Sequence, residues 1–226
     1  MNRISMIWGS FGIPVFRRRI LALLVYVFAC WAINSYLALP VQAHHPFGGA
    51  TPATGWEGFL SGLGHPVIGL DHLAFVIATG LLAVAVKGGL GIPVGFVVAS
   101  AVGTGLHLMG FTIPAAEVII AGSVVLFGLF LALKNRPPVT ILLLLSVLAG
   151  LLHGYAYGEV VIGAEMTPIV AYLLGFMAIQ LTIAGAIYQA IKLLKADPET
   201  SALNLRFAGF VLVGLGSALV SGVLAG

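Results

Sequence analysis

His65-Pro66-Val67-Ile68-Gly69-Leu70-Asp71-His72 places two imidazoles and a carboxylate within eight residues, and the run that follows, Leu73 to Val86, carries no charge. An ionisable side chain at the centre of a bilayer costs about 2.5–3.5 kcal/mol on insertion scales, so such residues in an apolar segment are functional candidates. His65 and His72 are seven residues apart. On a regular helix that spacing puts them on one face but about 10.5 Å apart along the axis, too far to share one ion. Either the helix breaks near Gly69 or the two are successive stations; Pro66 and Gly69 favour a break, and interrupted helices are a recurring way for transporters to form ion sites.

Composition sets the class around this stretch. The 226 residues are 60% hydrophobic and 8% charged, with a mean hydropathy of +1.13, whereas a soluble domain carries about 25% charged residues. The chain reads as a polytopic membrane protein. Its net charge of +3 comes from the N-terminus, where Arg3, Arg17, Arg18 and Arg19 lie; from residue 44 onward six basic side chains meet seven acidic ones. A nucleic-acid partner is therefore not implied. The single cysteine, Cys30, excludes disulfides and thiolate metal sites from the rest of the chain.

Arg17-Arg18-Arg19, the apolar run Ile20 to Ile33 and the small residues around Val41-Gln42-Ala43 form the three parts of a secretory signal peptide, residues 1–43. Cleavage would leave His44-His45-Pro46 as the new N-terminus; an uncleaved signal anchor is the alternative. The remaining domain, 44–226, opens with a Gly/Pro/Thr-rich linker. Trp56, Phe59, Leu60 and Leu63 then fall on one face of a short helix, which predicts an interfacial element. Gly64 ends it, and Pro66 suits the first position of the next helix.

Six spans follow, over about 66–86, 92–110, 114–133, 138–156, 167–191 and 205–225, each near the ~20 residues a bilayer requires. The expected fold is an all-α membrane protein of six transmembrane helices after a cleavable signal, with the short interfacial helix before the first. Lys87, Lys134, Arg136, Lys192, Lys195 and Arg206 all fall at the first, third and fifth connections. The positive-inside rule makes those connections cytoplasmic and puts the mature N-terminus and the C-terminus outside, in a bacterial inner (plasma) membrane. His44, His45, His65, His72, His107 and His153 then lie on the outer side or in the outer half, with Asp71, Glu117, Glu159 and Glu165. Imidazoles and carboxylates gathered there are arranged to receive a cation from outside.

Neutral imidazole with carboxylate suits Ni²⁺, Co²⁺ or Zn²⁺; lack of thiolate argues against Cu(I) and iron–sulfur clusters, and Mg²⁺ prefers carboxylates and waters. Polar residues continue the line: Thr79 seven after His72, Ser100 and Thr104 before His107, Ser146 seven before His153. They either line a path or mark close helix packing. Glu117, three residues after Pro114, sits in a first helical turn, where a carboxylate also favours the helix dipole.

His65-x5-Asp71-His72 resembles the first-helix signature of the HupE/UreJ family, membrane proteins associated with hydrogenase and urease metal supply and regarded as nickel/cobalt permeases. Ile113-Pro114-Ala115-Ala116-Glu117-Val118-Ile119-Ile120-Ala121-Gly122-Ser123 is similar to that family's Pro-x-x-Glu helix opening, and Leu152-His153-Gly154-Tyr155-Ala156-Tyr157-Gly158-Glu159 to its second motif, Phe-His-Gly-x-Ala-His-Gly-x-Glu. The resemblance implies ligand or gating roles for His65, Asp71, His72, Glu117, His153 and Glu159. Leu152 stands where Phe is expected and Tyr157 where a second His is expected; His107 or the His44-His45 pair would then supply the missing imidazole.

The function this implies is uptake of Ni²⁺ or Co²⁺, with no permanently bound cofactor and an indirect link to hydrogenase, urease or cobalamin metal supply. No Walker-type phosphate loop is present, so the chain itself does not hydrolyse ATP. Two other classes are open: a haem-binding electron-transfer protein using His72, His107 and His153, and an intramembrane hydrolase. The second is the weaker, because there is no His-Glu-x-x-His and no histidine after residue 153. The chain is expected not to be an enzyme.

Overall fold

Burying Leu against Leu gains little when the alternative is lipid, so helices in a bilayer meet where small residues let backbones approach. The computed structural model describes residues 50–194 and 197–225. The signal segment, His44, His45 and the choice between cleavage and anchoring lie outside the described residues. Seven α-helices are described: α1 (Gly55–Ile68), α2 (Leu70–Ala85), α3 (Gly91–Leu108), α4 (Ala116–Ala132), α5 (Val139–Gly158), α6 (Met166–Leu193) and α7 (Pro198–Ala225), with a 3₁₀ turn, Glu159–Val161, after α5.

Three helix pairs cross through glycine. Gly58 and Gly62 of α1 lie against the carbonyls of Pro168 and Tyr172 in α6; Gly150 and Gly154 of α5 lie against those of Phe96 and Ser100 in α3; Gly128 of α4 meets Gly209 of α7. A Cβ at any of these positions would overlap backbone. Helix α2, whose only charged side chain is Asp71 in its first turn, runs between the pairs, with Phe75, Ala78, Thr79 and Leu82 fully buried against α6, α4 and α3.

The hydroxyls expected either to line a path or to mark close helix packing all donate to backbone carbonyls. Thr79 donates to the Val76 carbonyl (2.8 Å), Ser100 to that of Phe96 (2.8 Å), and Ser146 across to that of Ile92 (2.7 Å). Thr104 donates to the Ser100 carbonyl (3.1 Å) and to the Gly154 carbonyl (2.8 Å). Ser146 and Thr104 thus bridge α5 and α3 at a close crossing, while Thr79 and Ser100 bond within their own helices.

The glycine contacts also give direction. Ser146, Gly150 and Gly154 of α5 meet Ile92, Phe96 and Ser100 of α3 in ascending order, so α3 and α5 are parallel. Val125 of α4 lies at Gly216 of α7 and Ala132 at Gly209, so that pair is antiparallel. Segments that alternate in direction, as successive crossings do, produce this pattern.

The spans differ from expectation in two places. The helices α3, α6, α7 and α5 with its 3₁₀ turn are long and apolar enough to cross a membrane, while α1 and α2 qualify only together, as a pair bent by 79°. The 17-residue α4 rises about 26 Å, short of the ~30 Å hydrocarbon core. By length and composition the described residues thus hold four candidate spans, or five with the bent pair, and α4, the remaining one of the expected six, is a shorter apolar helix.

The short interfacial helix is also corrected. Residues 55–68 form a 14-residue helix that includes Pro66 and packs inside the bundle through Gly58, Ser61, Gly62 and His65. Trp56, on the expected apolar face, is 68% exposed. The start of α1 is fixed locally: Thr54 accepts from the Glu57 backbone N–H (3.2 Å), and the Glu57 carboxylate accepts from the Ala53 N–H (2.8 Å). This Thr-x-x-Glu arrangement is a capping box shifted by one residue.

Candidate metal centre

Gly69 separates α1 from α2. Its φ of −70° and ψ of 109° leave the helical region while its N–H still donates to the His65 carbonyl, and its own carbonyl accepts from Leu73 (2.9 Å). One carbonyl at the end of α1 and one N–H at the start of α2 are thus paired through a single non-helical residue. The bend folds His65 back, so that its ring centroid lies 5.3 Å from that of His72, about half the separation along a straight helix. A Cβ on residue 69 would lie 2.6 Å from His72 Cδ2. Glycine is required there by the proximity of the imidazole.

Asp71 occupies the first turn of α2. Its Oδ1 accepts from the His72 backbone N–H (2.8 Å) and lies 3.8 Å from His72 Nδ1. About 22% of the Asp71 side chain is exposed, against 3% for His72. The carboxylate is therefore the accessible edge of the cluster and the imidazoles its interior.

Three helices converge behind it. His72 Nδ1 lies 3.0 Å from His153 Nδ1 of α5, and His153 Nε2 lies 3.0 Å from Ser123 Oγ of α4. Ser123 also donates to the Ile120 carbonyl at 2.6 Å. A carbonyl can only accept, so the serine proton is committed there, and Ser123 must accept from His153 Nε2–H. With both rings neutral, His153 Nδ1 then accepts from His72 Nδ1–H, which leaves Nε2 as the lone-pair nitrogen of His72. Fixing a tautomer through the partner of the other ring nitrogen is how metal-binding histidines are oriented. Ser123 ends the stretch that resembles the family's helix opening, but the sequence gives it no role, because its link to His153 forms only where α4 lies against α5.

Tyr157, one helical turn after His153, is fully buried with its ring 5.1 Å from His65 and 4.5 Å from His72. Its hydroxyl donates to Gln180 Oε1 (3.4 Å), and Tyr172 of α6 donates to its carbonyl (2.8 Å). On the other side, Phe75 and Phe96 pack on the His153 ring at 4.6 and 5.2 Å, and Phe127 on Phe75 at 4.5 Å. The histidine cluster thus has a polar rim and a phenylalanine floor.

The other expected residues lie apart. His107, in the last turn of α3, stacks edge-on against Tyr155 (4.1 Å) and touches Gly158, so it replaces no imidazole in the cluster and does not join His72 and His153 for haem. Glu117 is exposed in the first turn of α4, and Glu159 is exposed in the 3₁₀ turn. Among the described residues no three His, Cys, Asp or Glu side chains are arranged to hold a metal ion together. His72 and His153 come nearest: their 3.0 Å nitrogen separation is close to the about 3.3 Å between two nitrogens on a tetrahedral ion with 2.0–2.1 Å bonds.

The family model described as HupE / UreJ protein matches residues 32–219. "Protein HupE" of Rhizobium leguminosarum bv. viciae is 30% identical over 191 residues, covering 82% of this chain and 94% of the relative. No solved structure matches. A match over most of both chains, together with an apolar helical bundle built around His65, Asp71, His72 and His153, establishes that the chain is a membrane protein of the HupE/UreJ family.

Proposed function

We propose that the chain is a permease that takes up a divalent transition-metal ion, Ni²⁺ or Co²⁺, through a station formed by His65, Asp71 and His72. The observation that carries this reading is the break at Gly69, which draws two imidazoles seven residues apart to 5.3 Å beside a partly exposed carboxylate. Asp71 receives the ion because it brings negative charge to a segment where charge interactions are much stronger than in water. His65 and His72 replace part of the lost hydration with nitrogen ligands. The His72–His153 hydrogen bond supplies the next step, since an ion can enter between the two Nδ1 atoms once the His72 proton shifts from Nδ1 to Nε2, which keeps the ring neutral and frees both Nδ1 lone pairs. Below them the rings of Phe75, Phe96 and Phe127 close the way, so onward passage requires α2 or α5 to shift. This supports a gated or carrier-type cycle over an open pore.

Uptake of radiolabelled Ni²⁺ and Co²⁺ tests the reading, in cells with and without the protein and with each metal competing against the other. Wild type should take up at least one ion, and Asp71→Asn, which keeps shape and one acceptor oxygen, should fall to background while still inserting. His65→Ala should weaken capture at low metal concentration and be partly rescued by raising it. Full uptake by Asp71→Asn would sink the proposal.

A further inference from the structure

The end of the bundle away from the histidines holds a second cluster of charge that metal uptake does not use. A cavity of about 330 Å³ opens between the end of α2, the end of α6 and the start of α7, lined by Arg136, Lys192 and Ser201 and by Val84, Ile191 and Leu205. Arg136 Nη2 donates to the Leu131 carbonyl (2.9 Å), and Arg206 Nε to the Ala132 carbonyl (3.0 Å). Both arginines thereby cap the last turn of α4, a favourable place for positive charge. Capping engages one N–H of each guanidinium, however, and each has five.

What remains is unbalanced. Arg136 Nε is buried with no hydrogen-bond partner. Among the described residues no carboxylate pairs with Arg136, Lys192 or Arg206. The two guanidiniums are close enough that, after burial, Arg206 is the second cause holding Arg136 below its ordinary basicity. Like charges kept together without a counter-charge, at the mouth of a cavity with apolar walls, fit an anion carrying an apolar tail.

We propose that this cavity binds a phosphate group, and that in the membrane the group is the head of an anionic phospholipid. Arg136 offers a planar fork that matches phosphate oxygens, Lys192 a point charge, and Val84, Ile191 and Leu205 a wall for the acyl chain. Basic pockets between transmembrane helices are a recurring form of headgroup site. Occupancy would tie α2, the α4–α5 connection, α6 and α7 together at one end.

The test uses the purified full chain in neutral detergent, with thermal stability followed during titration with phosphatidylglycerol, phosphatidylcholine or inorganic phosphate. Phosphatidylglycerol should raise the Tm and phosphatidylcholine should not. The Arg136→Gln/Lys192→Gln pair should bind phosphatidylglycerol roughly 25-fold more weakly, from about fivefold per basic side chain near an anionic surface. An equal rise with inorganic phosphate, lost in the same pair, upholds the phosphate site and assigns it to a soluble anion. Equal responses of wild type and variant, or no discrimination between the two lipids, overturn it. Should the paired variant fail to insert, native mass spectrometry of wild type from an equal lipid mixture decides, since preferential retention of phosphatidylglycerol supports the site and its absence refutes it.

Discussion

Ser123 decides which nitrogen of His72 carries the lone pair, although two hydrogen bonds lie between them. Removing its hydroxyl in Ser123→Ala frees His153 to adopt the other tautomer and donate to His72, so that the lone pair of His72 moves from Nε2 to Nδ1. Loss of such a supporting partner typically weakens metal binding roughly 10–100-fold. The concentration for half-maximal uptake should rise by that order while uptake at saturating metal changes less, and Ser123→Thr should restore it. An unchanged concentration dependence in Ser123→Ala would remove the serine from the relay. Tyr157 bears on the same site, because its ring packs on both His65 and His72. Tyr157→His should therefore tighten binding of imidazole-preferring ions and slow their release; competition between Ni²⁺ and Zn²⁺ during uptake measures this, and identical selectivity would count against a role for that position.

The break between α1 and α2 is legible in the sequence because Gly69 stands in a largely apolar run between two histidines, although Pro66, also expected to favour a break, lies inside α1. The packing face of α1 is not. Trp56, Phe59, Leu60 and Leu63 mark the apolar stripe, which a soluble helix turns inward, but in lipid the large side chains face outward and the small ones meet the partner helix. Gly58, Ser61, Gly62 and His65 are accordingly the buried set, and His65 enters the core because it shares their face. The 17-residue length of α4 is hidden for another reason: Pro114 and Ala115 are apolar enough to read as span, yet Ala115, at φ 55°, lies outside the helix. At the break itself, Gly69→Ala tests whether the bend exists to hold His72. A Cβ there presses on the ring at 2.6 Å, and such overpacking costs about 1–3 kcal/mol or is relieved by moving the ring. Uptake should fall severalfold with insertion preserved. A variant with full uptake would show that the imidazole has room to move without consequence.

Whether α1 and α2 form one broken span or a re-entrant hairpin sets the topology of the whole molecule. The helix α6 provides the ruler. Gly58 meets Pro168, Gly62 meets Tyr172, and Gly80 meets Ala184 and Ile187, so contacts advance along α6 in one direction through both helices. A hairpin would descend and return to the level at which it began. From Pro168 to Ala184 the advance is 16 residues, about 24 Å of helix rise, most of a hydrocarbon core of about 30 Å. This advance predicts that the bent pair crosses, with Thr51 and Lys87 on opposite sides of the membrane. The connection holding Arg136 and the start of α7 share a cavity with Val84 and Ala85 at the end of α2, so Lys87, Arg136 and Asp197 are predicted to share one side, and the positive-inside rule predicts that side to be the cytoplasmic one. Single cysteines introduced at Thr51, Lys87, Ile162 and Asp197 of a Cys30→Ser protein, labelled from outside intact cells with an impermeant maleimide, separate the alternatives. Thr51 and Ile162 should react from outside, and Lys87 and Asp197 only after permeabilisation. Labelling of Thr51 and Lys87 from the same side would make the pair re-entrant, and external labelling at Asp197 would invert the bundle and turn the histidine cluster toward the cytoplasm.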